Sequence, residues 1–380
     1  MNTWNRSSAG PMINVTKSDL PDLDRLLPYL QRIWASNWVT NDGEHLKLLE
    51  KKLSHHLGVP EVVVVSSGTM ALQLAIRTLG LSGSVVTTPF TFATTTNLLV
   101  WEGLRPLFAD IDPACYCIDP ADVERKIEDD TSAILAVHVY GNPCDMDALA
   151  EVAKKRHLKL IYDAAHSFGV EYKGRSLLEY GDASAMSFHA TKVFNTMEGG
   201  AVVANNRDVS QAVKDMRNHG IVSEERVVAP GINAKMSEVL AAVGLCNLED
   251  IDAKIAARKK IYEAYEERLA IVEGLSFQRI RASKYNYAYM PVLFDSMERR
   301  NATHDALVAQ GIKPRKYFYP LTVAFDYLRV DDPAGFYGIP VAVDIAERVL
   351  CLPLFPSLPQ EDFERIVLIT RESGGFSDRS

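Results

Sequence analysis

Hydrophobic and polar positions in the first two-thirds of the chain switch repeatedly between two periods. Short β-rich runs occupy residues 61–65, 84–88, 105–109, 132–137 and 158–162. Segments with the period of an α-helix separate them, at 69–79, 92–102, 119–128 and 145–156. This alternation is typical of a mostly parallel sheet wrapped by helices. Two further β-like runs, at 184–188 and 200–204, follow without room for a helix, so the later strands are expected to include an antiparallel member.

The remainder of the chain has a different pattern. Its longest helical pattern covers residues 236–269, a length typical of a helix that bridges domains or subunits. Beyond it, apolar alternation at 287–294 and helical patterns at 298–310 and 359–371 predict a smaller unit. The sequence therefore predicts an α/β fold with a boundary near residue 250. The two parts are a large domain over 1–250, with a mixed, mostly parallel sheet, and a small C-terminal α+β domain over 251–380.

Charge and composition exclude several classes of function. The formal net charge is −8 and no long basic run occurs, so we expect no nucleic acid partner. The longest apolar runs, such as 62–65, are far shorter than the roughly 18 residues that span a bilayer, so no membrane association is expected. The first ten residues are polar, which favours a cytoplasmic location. The five cysteines are odd in number and sparse, and Cys115 and Cys117 lack further ligands nearby, so we predict buried free thiols and no metal site.

Polar and aromatic residues follow the predicted strands, where ligands of open parallel sheets bind. Ser66, Ser67, Gly68 and Thr69 stand between the first run and a helix. They can form a phosphate site at the positive helix end, or an ordinary N-cap. Phe92 follows the second run and can stack on a flat ring or fill the core.

Three ionisable residues extend this pattern. Asp163 directly follows the run 158–162, where a carboxylate can keep a ring nitrogen protonated or simply cap the next turn. His166 is placed to share that wall, or is structural. Lys192 lies between two apolar runs; burial there would lower its pKa, as in Schiff-base lysines, unless it extends to the surface. Together these residues are the parts needed to hold pyridoxal 5'-phosphate (PLP).

Six segments, in order, carry a resemblance to a known family: SSGTMALQLA, TPFTFATT, HVYGNPCDMDAL, YDAAHSFG, SFHATKVFNTMEGGAVV and GINAKMSEVLAAVGL. They resemble the DegT/DnrJ/EryC1/StrS family of nucleotide-sugar aminotransferases, over essentially the whole chain from Thr16. The resemblance implies a fold type I PLP-dependent enzyme that cycles through pyridoxamine 5'-phosphate. It also implies L-glutamate as amino donor, a nucleotide-linked keto sugar as acceptor, and a homodimer with shared active sites.

The resemblance also implies roles for individual residues. Lys192 is implied to bond covalently to PLP, and Asp163 to contact the pyridine nitrogen. The other implied cofactor contacts are Gly68, Thr69 and Ser187 for the phosphate, Phe92 for the ring face, His166 near the ring hydroxyl, and Asn233 for the cofactor phosphate of the neighbouring subunit. Family members with histidine in place of the lysine act as sugar dehydratases, so Lys192 argues against that chemistry.

The substrate is inferred from segments outside the cofactor motifs. Residues 36–50 and 315–321 most resemble the branch that acts on dTDP-4-keto-6-deoxyglucose, which implies amination at C4 to give dTDP-4-amino-4,6-dideoxyglucose. Arg315, Lys316 and Tyr319 are candidate contacts to the diphosphate or sugar, or form a solvated basic turn. The alternatives are a C3 aminotransferase acting on a dTDP-3-keto-6-deoxyhexose, a PLP-dependent lyase acting on a sulfur amino acid, and a regulator that binds the cofactor without turnover.

Overall fold

A seven-stranded sheet forms the centre of the computed structural model, which describes residues 12–328 and 338–373. In chain order, strands β1 to β16 are Ile13–Asn14, Val63–Val65, Ser84–Thr87, Arg105–Phe108, Thr131–Val137, Lys159–Asp163, Glu171–Tyr172, Arg175–Ser176, Ala183–Ser187, Gly200–Ala204, Ile221–Ser223, Arg226–Val227, Leu275–Phe277, Met290–Phe294, Ile312–Lys313 and Val349–Leu352. The order in the large sheet is β2-β10-β9-β6-β5-β3-β4. β10 pairs antiparallel with both of its neighbours, β2 and β9, and the other described pairs of this sheet are parallel. The predicted sheet, including its antiparallel member, is confirmed.

Helices flank the sheet. In chain order, α1 to α12 are Leu23–Ser36, Glu44–Leu57, Gly68–Thr78, Ala93–Trp101, Pro120–Lys126, Met146–Arg156, Arg207–Arg217, Glu238–Glu249, Ile251–Leu269, Met297–Ala309, Pro340–Arg348 and Gln360–Glu372. Short 3₁₀ turns occur at Val139–Gly141, Leu177–Glu179, Thr322–Ala324 and Asp326–Leu328. All the helices predicted between the first strands are present, and no end differs from the prediction by more than two residues.

Both faces of the large sheet are buried. In β2, Val64 packs into one hydrophobic core, whereas its neighbours Val63 and Val65 pack into a second core on the opposite side. Successive side chains of a strand point to opposite faces, so a strand covered on both sides must be apolar throughout. This is why the strands read as continuous apolar runs.

The long helical pattern over 236–269 is two helices rather than one, which corrects the prediction. α8 ends at Glu249 and α9 begins at Ile251, because the backbone of Asp250 leaves helical geometry with φ −108° and ψ 2°. The Asp250 carboxylate accepts a hydrogen bond from Arg25 of α1. Periodicity alone did not reveal the break, since both sides of it are helical.

The C-terminal part contains a three-stranded antiparallel sheet in the order β13-β14-β16, packed against α10 and α11. The N-terminal strand β1 joins this part by pairing in parallel with β15. The proposed domain boundary near residue 250 coincides with the junction of α8 and α9, and it stays a prediction.

Two further features concern residues discussed above. All five cysteines are buried and free, as predicted. No helix within 12–328 and 338–373 combines the length and apolarity needed to cross a membrane.

Candidate active site

A cavity of about 260 Å³ lies at the carboxyl ends of the parallel strands. All the predicted cofactor contacts except Asn233 contribute to its wall, as does Arg315: Gly68, Thr69, Phe92, Asp163, His166, Ser187, Lys192 and Arg315. The fold thus brings together residues that are more than 200 positions apart in the chain. We name this space the lysine cavity after Lys192.

The N-terminus of α3 forms one end of the lysine cavity. Ser67 is the N-cap, and its hydroxyl accepts a hydrogen bond from the Met70 N–H at 3.1 Å. Gly68 and Thr69 follow in the first turn, where backbone N–H groups lack intrahelical acceptors. A Cβ on Gly68 would lie 2.7 Å from the Cβ of Ser187, so only glycine lets the helix begin this close to the end of β9. The arrangement suits a phosphate group, which accepts from helix N–H groups and from hydroxyls.

Asp163, the last residue of β6, faces the lysine cavity. Its carboxylate accepts hydrogen bonds from the Thr95 hydroxyl at 2.7 Å and from the Ala165 N–H at 3.1 Å. Burial raises its pKa, and these two donors and the charge of Lys192 only partly oppose that effect. A carboxylate that is poorly solvated gains from a cationic partner, and a protonated ring nitrogen would supply one.

Lys192 lies in the loop between β9 and β10, and its side chain forms part of the cavity wall. Its surroundings lower its pKa to about 8, first through burial and then through the charge of Arg315, although Asp163 acts in the opposite direction. Within residues 12–328 and 338–373, its amine has no carboxylate partner within 4 Å. Such an amine is available as a nucleophile near neutral pH.

Aromatic side chains form the remaining walls. His166 is buried, and burial lowers its pKa well below 6.5, so its ring is neutral. Its ring lies 4.8 Å from that of Tyr289 and stacks against Phe318 at 6.2 Å between centroids. Phe92 is half-exposed at the mouth of the cavity, with its ring 6.5 Å from that of Tyr317. It is therefore free to cover a flat ring.

Three predicted residues lie outside the lysine cavity. Asn233 is exposed, forms a β-bridge with Asn218 and is not part of the cavity wall. The Lys316 amine donates to Asn301 Oδ1 at 2.7 Å. Tyr319 is exposed, and the guanidinium of Arg300 lies 5.6 Å from the centre of its ring.

Several cavity residues were missed by the sequence analysis. His138 lies just beyond β5, where the strand-end rule could have found it. His138 is buried, its Nδ1 accepts from the Cys144 N–H at 3.2 Å, and burial lowers its pKa to about 3. Tyr289 and Tyr317 come from the C-terminal part. Tyr289 lies in an apolar run, where aromatic residues are usually core, and Tyr317 lies in the segment 315–321 but was not singled out as a contact.

The family model for the DegT/DnrJ/EryC1/StrS aminotransferases matches residues 23–370. The chain belongs to this family. The aminotransferases of this family depend on PLP, and the predicted enzyme class is confirmed. The residues of the lysine cavity fit PLP: a helix N-terminus with hydroxyls for the phosphate, an aromatic wall, a buried carboxylate and an unpaired lysine.

Two relatives and one solved structure define the position within the family. The chain is 42% identical over 364 residues to the dTDP-4-amino-4,6-dideoxy-D-glucose transaminase of Shigella dysenteriae, covering 95% of this chain and 98% of that protein. It is 37% identical over 356 residues to the enzyme of the same name from Escherichia coli, covering 92% and 95%. The crystal structure of DesI in the presence of its TDP-sugar product superposes with a TM-score of 0.89 at 33% identity, covering 96% and 93%. The predicted fold class is confirmed.

Proposed function

We propose that the protein transfers the amino group of L-glutamate to dTDP-4-keto-6-deoxyglucose and so forms dTDP-4-amino-4,6-dideoxyglucose. The reaction class rests on one observation above all, the unpaired Lys192 beside Asp163 in the lysine cavity. The choice of sugar rests on the 42% identity to a transaminase named for this product, over nearly the full length of both chains.

We propose that the lysine cavity holds PLP, which alternates with pyridoxamine 5'-phosphate. Gly68, Thr69 and Ser187 bind the phosphate, since they form the cradle at the start of α3. Phe92 covers one face of the ring. When bound, the cofactor supplies an electron sink that makes amino-group transfer feasible.

The ionisable side chains of the cavity then have distinct tasks. The Asp163 carboxylate holds the proton on the ring nitrogen, since the opposite charge stabilises both partners in a poorly solvated site. When it is not bonded to the cofactor, the Lys192 amine removes and returns the proton on the substrate carbon that carries the nitrogen. A pKa of about 8 suits both directions of that transfer near neutral pH. Neutral His166 contacts the ring hydroxyl.

We propose a cytoplasmic homodimer. Leu23, Leu27 and Trp34 are all exposed on α1, and their spacing of four and seven residues places them in one stripe of the helix. A contiguous apolar stripe in water favours a protein partner, and a second copy is the partner that the family resemblance implies. In this dimer the exposed Asn233 reaches the cofactor phosphate of the neighbouring subunit. Buried free cysteines agree with a reducing compartment.

Absorbance spectroscopy of the PLP-loaded protein tests the proposal. We expect L-glutamate to remove the visible band of the bound cofactor and dTDP-4-keto-6-deoxyglucose to restore it, with the new amine at C4 by NMR. Lys192→Ala should abolish turnover, whereas Lys259→Ala, at an exposed position on α9, should not.

Other outcomes discriminate the alternatives. Substantial turnover by Lys192→Ala would refute the mechanism. A band that glutamate removes but this sugar does not restore would indicate a different keto sugar, with the 3-keto isomer as the next substrate to assay. Release of a keto acid from a sulfur amino acid, without any sugar acceptor, would indicate a lyase.

A further inference from the structure

A second and larger cavity, of about 820 Å³, lies beside the lysine cavity. One wall is residues 12–18 and the other includes residues 313–315 and Phe355; we name this space the N-terminal groove. Pairing of β1 with β15 holds the first wall in place. A hydrogen bond from the Leu354 N–H to the Val15 carbonyl at 3.0 Å fixes it further. The groove is thus built by backbone pairing rather than by loosely held loops.

The N-terminal groove adjoins the lysine cavity. Thr191 and Arg315 contribute to both, and Thr191 is the chain neighbour of Lys192. The lysine cavity, at about 260 Å³, is smaller than the roughly 300–1,000 Å³ typical of pockets for whole ligands. It is too small for both the cofactor and a complete sugar nucleotide. A substrate whose reacting carbon lies at Lys192 must therefore extend beyond this cavity, and the groove begins at the adjacent residue.

The basic side chains along the N-terminal groove suit an anionic ligand. Lys17, Lys313 and Arg315 line it, and none of them forms an ion pair with a carboxylate in the part of the chain that the structure describes. Asp362 also lines the groove, but its carboxylate is compensated by Arg365 at 2.9 Å. Three uncompensated cations on a chain of net charge −8 form a local attraction for anions.

Arg315 is also held in a position from which it can bind an anion. Its guanidinium lies 4.1 Å from the centre of the Tyr317 ring, which restricts its position at the junction of the two cavities. A planar guanidinium binds phosphate oxygens through two parallel hydrogen bonds. The partly buried Ile13 and Val15, with Phe355, add apolar surface to the same groove.

We propose that the N-terminal groove binds the diphosphate and nucleoside of the sugar nucleotide, with the diphosphate held by Lys17, Lys313 and Arg315. This inference rests on the proposed function, because it takes the sugar end of the substrate to lie at Lys192. The segment 12–18 is then part of the substrate site, although it is far in sequence from every cofactor motif.

Binding of thymidine diphosphate to the PLP-loaded protein, measured by calorimetry, tests the groove. Lys17→Ala and Lys313→Ala should each weaken binding about tenfold, the value of one hydrogen bond to a charged group. In the double variant, the affinity for thymidine diphosphate should also depend less on salt concentration. Lys259→Ala is the matched control and should bind as the wild type does. Loss of the visible band on adding glutamate reports that each variant is folded and loaded with cofactor.

A second measurement uses the unaltered protein, so that it stands even where a variant does not fold. A photoreactive thymidine diphosphate analogue should label peptides that contain residues 12–18 or 313–315. Equal affinity for thymidine diphosphate in the wild type and the double variant, or labelling only elsewhere, would refute the proposed role of the groove. The proposed function would remain intact.

The nucleotide itself is tested separately. If thymidine diphosphate fails to bind but guanosine or uridine diphosphate binds and depends on the two lysines, the groove is supported and the dTDP substrate is wrong. If none of the three binds a protein that still responds to glutamate, the groove is overturned together with the nucleotide substrate.

Discussion

The titration of Lys192 in the cofactor-free protein follows directly from its surroundings. Burial and Arg315 lower its pKa from 10.5 to about 8, whereas Asp163 raises it. At pH 7, a pKa of about 8 leaves roughly 9% of the amine neutral, compared with about 0.03% for an ordinary lysine, an increase of roughly 300-fold. Asp163→Asn removes the charge that raises the pKa, so the Lys192 midpoint should then fall below 8.

Competitive acylation measures this midpoint. The cofactor-free protein is treated briefly with a small amine-acylating reagent between about pH 6 and 11, and modification of the Lys192 peptide is followed by mass spectrometry. We expect a midpoint near 8 in the wild type, a lower one in Asp163→Asn, and protection of Lys192 once PLP is bound. A wild-type midpoint near 10, or a midpoint that rises in Asp163→Asn, would refute the argument from burial and charge.

Three further predictions concern the framework of the site. Gly68→Ala should cost about 1–3 kcal/mol of unfolding free energy and weaken PLP binding, since the new methyl group meets Ser187; thermal unfolding and a cofactor titration measure the two effects. Thr95→Val should destabilise the cofactor-free protein by about 1–3 kcal/mol at pH 7, through loss of a donor to Asp163. Folding raises the pKa of the Asp163 carboxyl, so the charged form, which needs the Thr95 donor most, is present in the folded protein only at higher pH. In denaturant unfolding, Thr95→Val should therefore lose less unfolding free energy at pH 4 than at pH 7. Glu238→Ala should cost about 2–4 kcal/mol in denaturant unfolding, because the buried carboxylate accepts two N–H groups at the start of α2; a loss below 0.5 kcal/mol would contradict this.

The strands and helices of the large sheet could be predicted because their signals are local. Each buried strand is a short apolar run, and each covering helix has one apolar face, so periodicity alone separates them. The same reasoning failed at Asp250, where two helices follow each other without a change of period. Recognising that break requires the backbone angles and the contact with α1.

Part of the site could be predicted in the same way. Gly68, Asp163 and Lys192 lie just after predicted strands, and a parallel sheet brings its carboxyl ends to one edge, so their proximity follows from the order of elements.

The rest of the site depended on how the C-terminal part and the N-terminal segment pack against that edge. Tyr289, Tyr317 and Arg315 enter the lysine cavity, and residues 12–18 form a wall of the neighbouring groove. Their positions result from contacts between residues hundreds of places apart, such as the pairing of β1 with β15. Local periodicity carries no information about such contacts, because they depend on the burial of surfaces that exist only once the chain has folded.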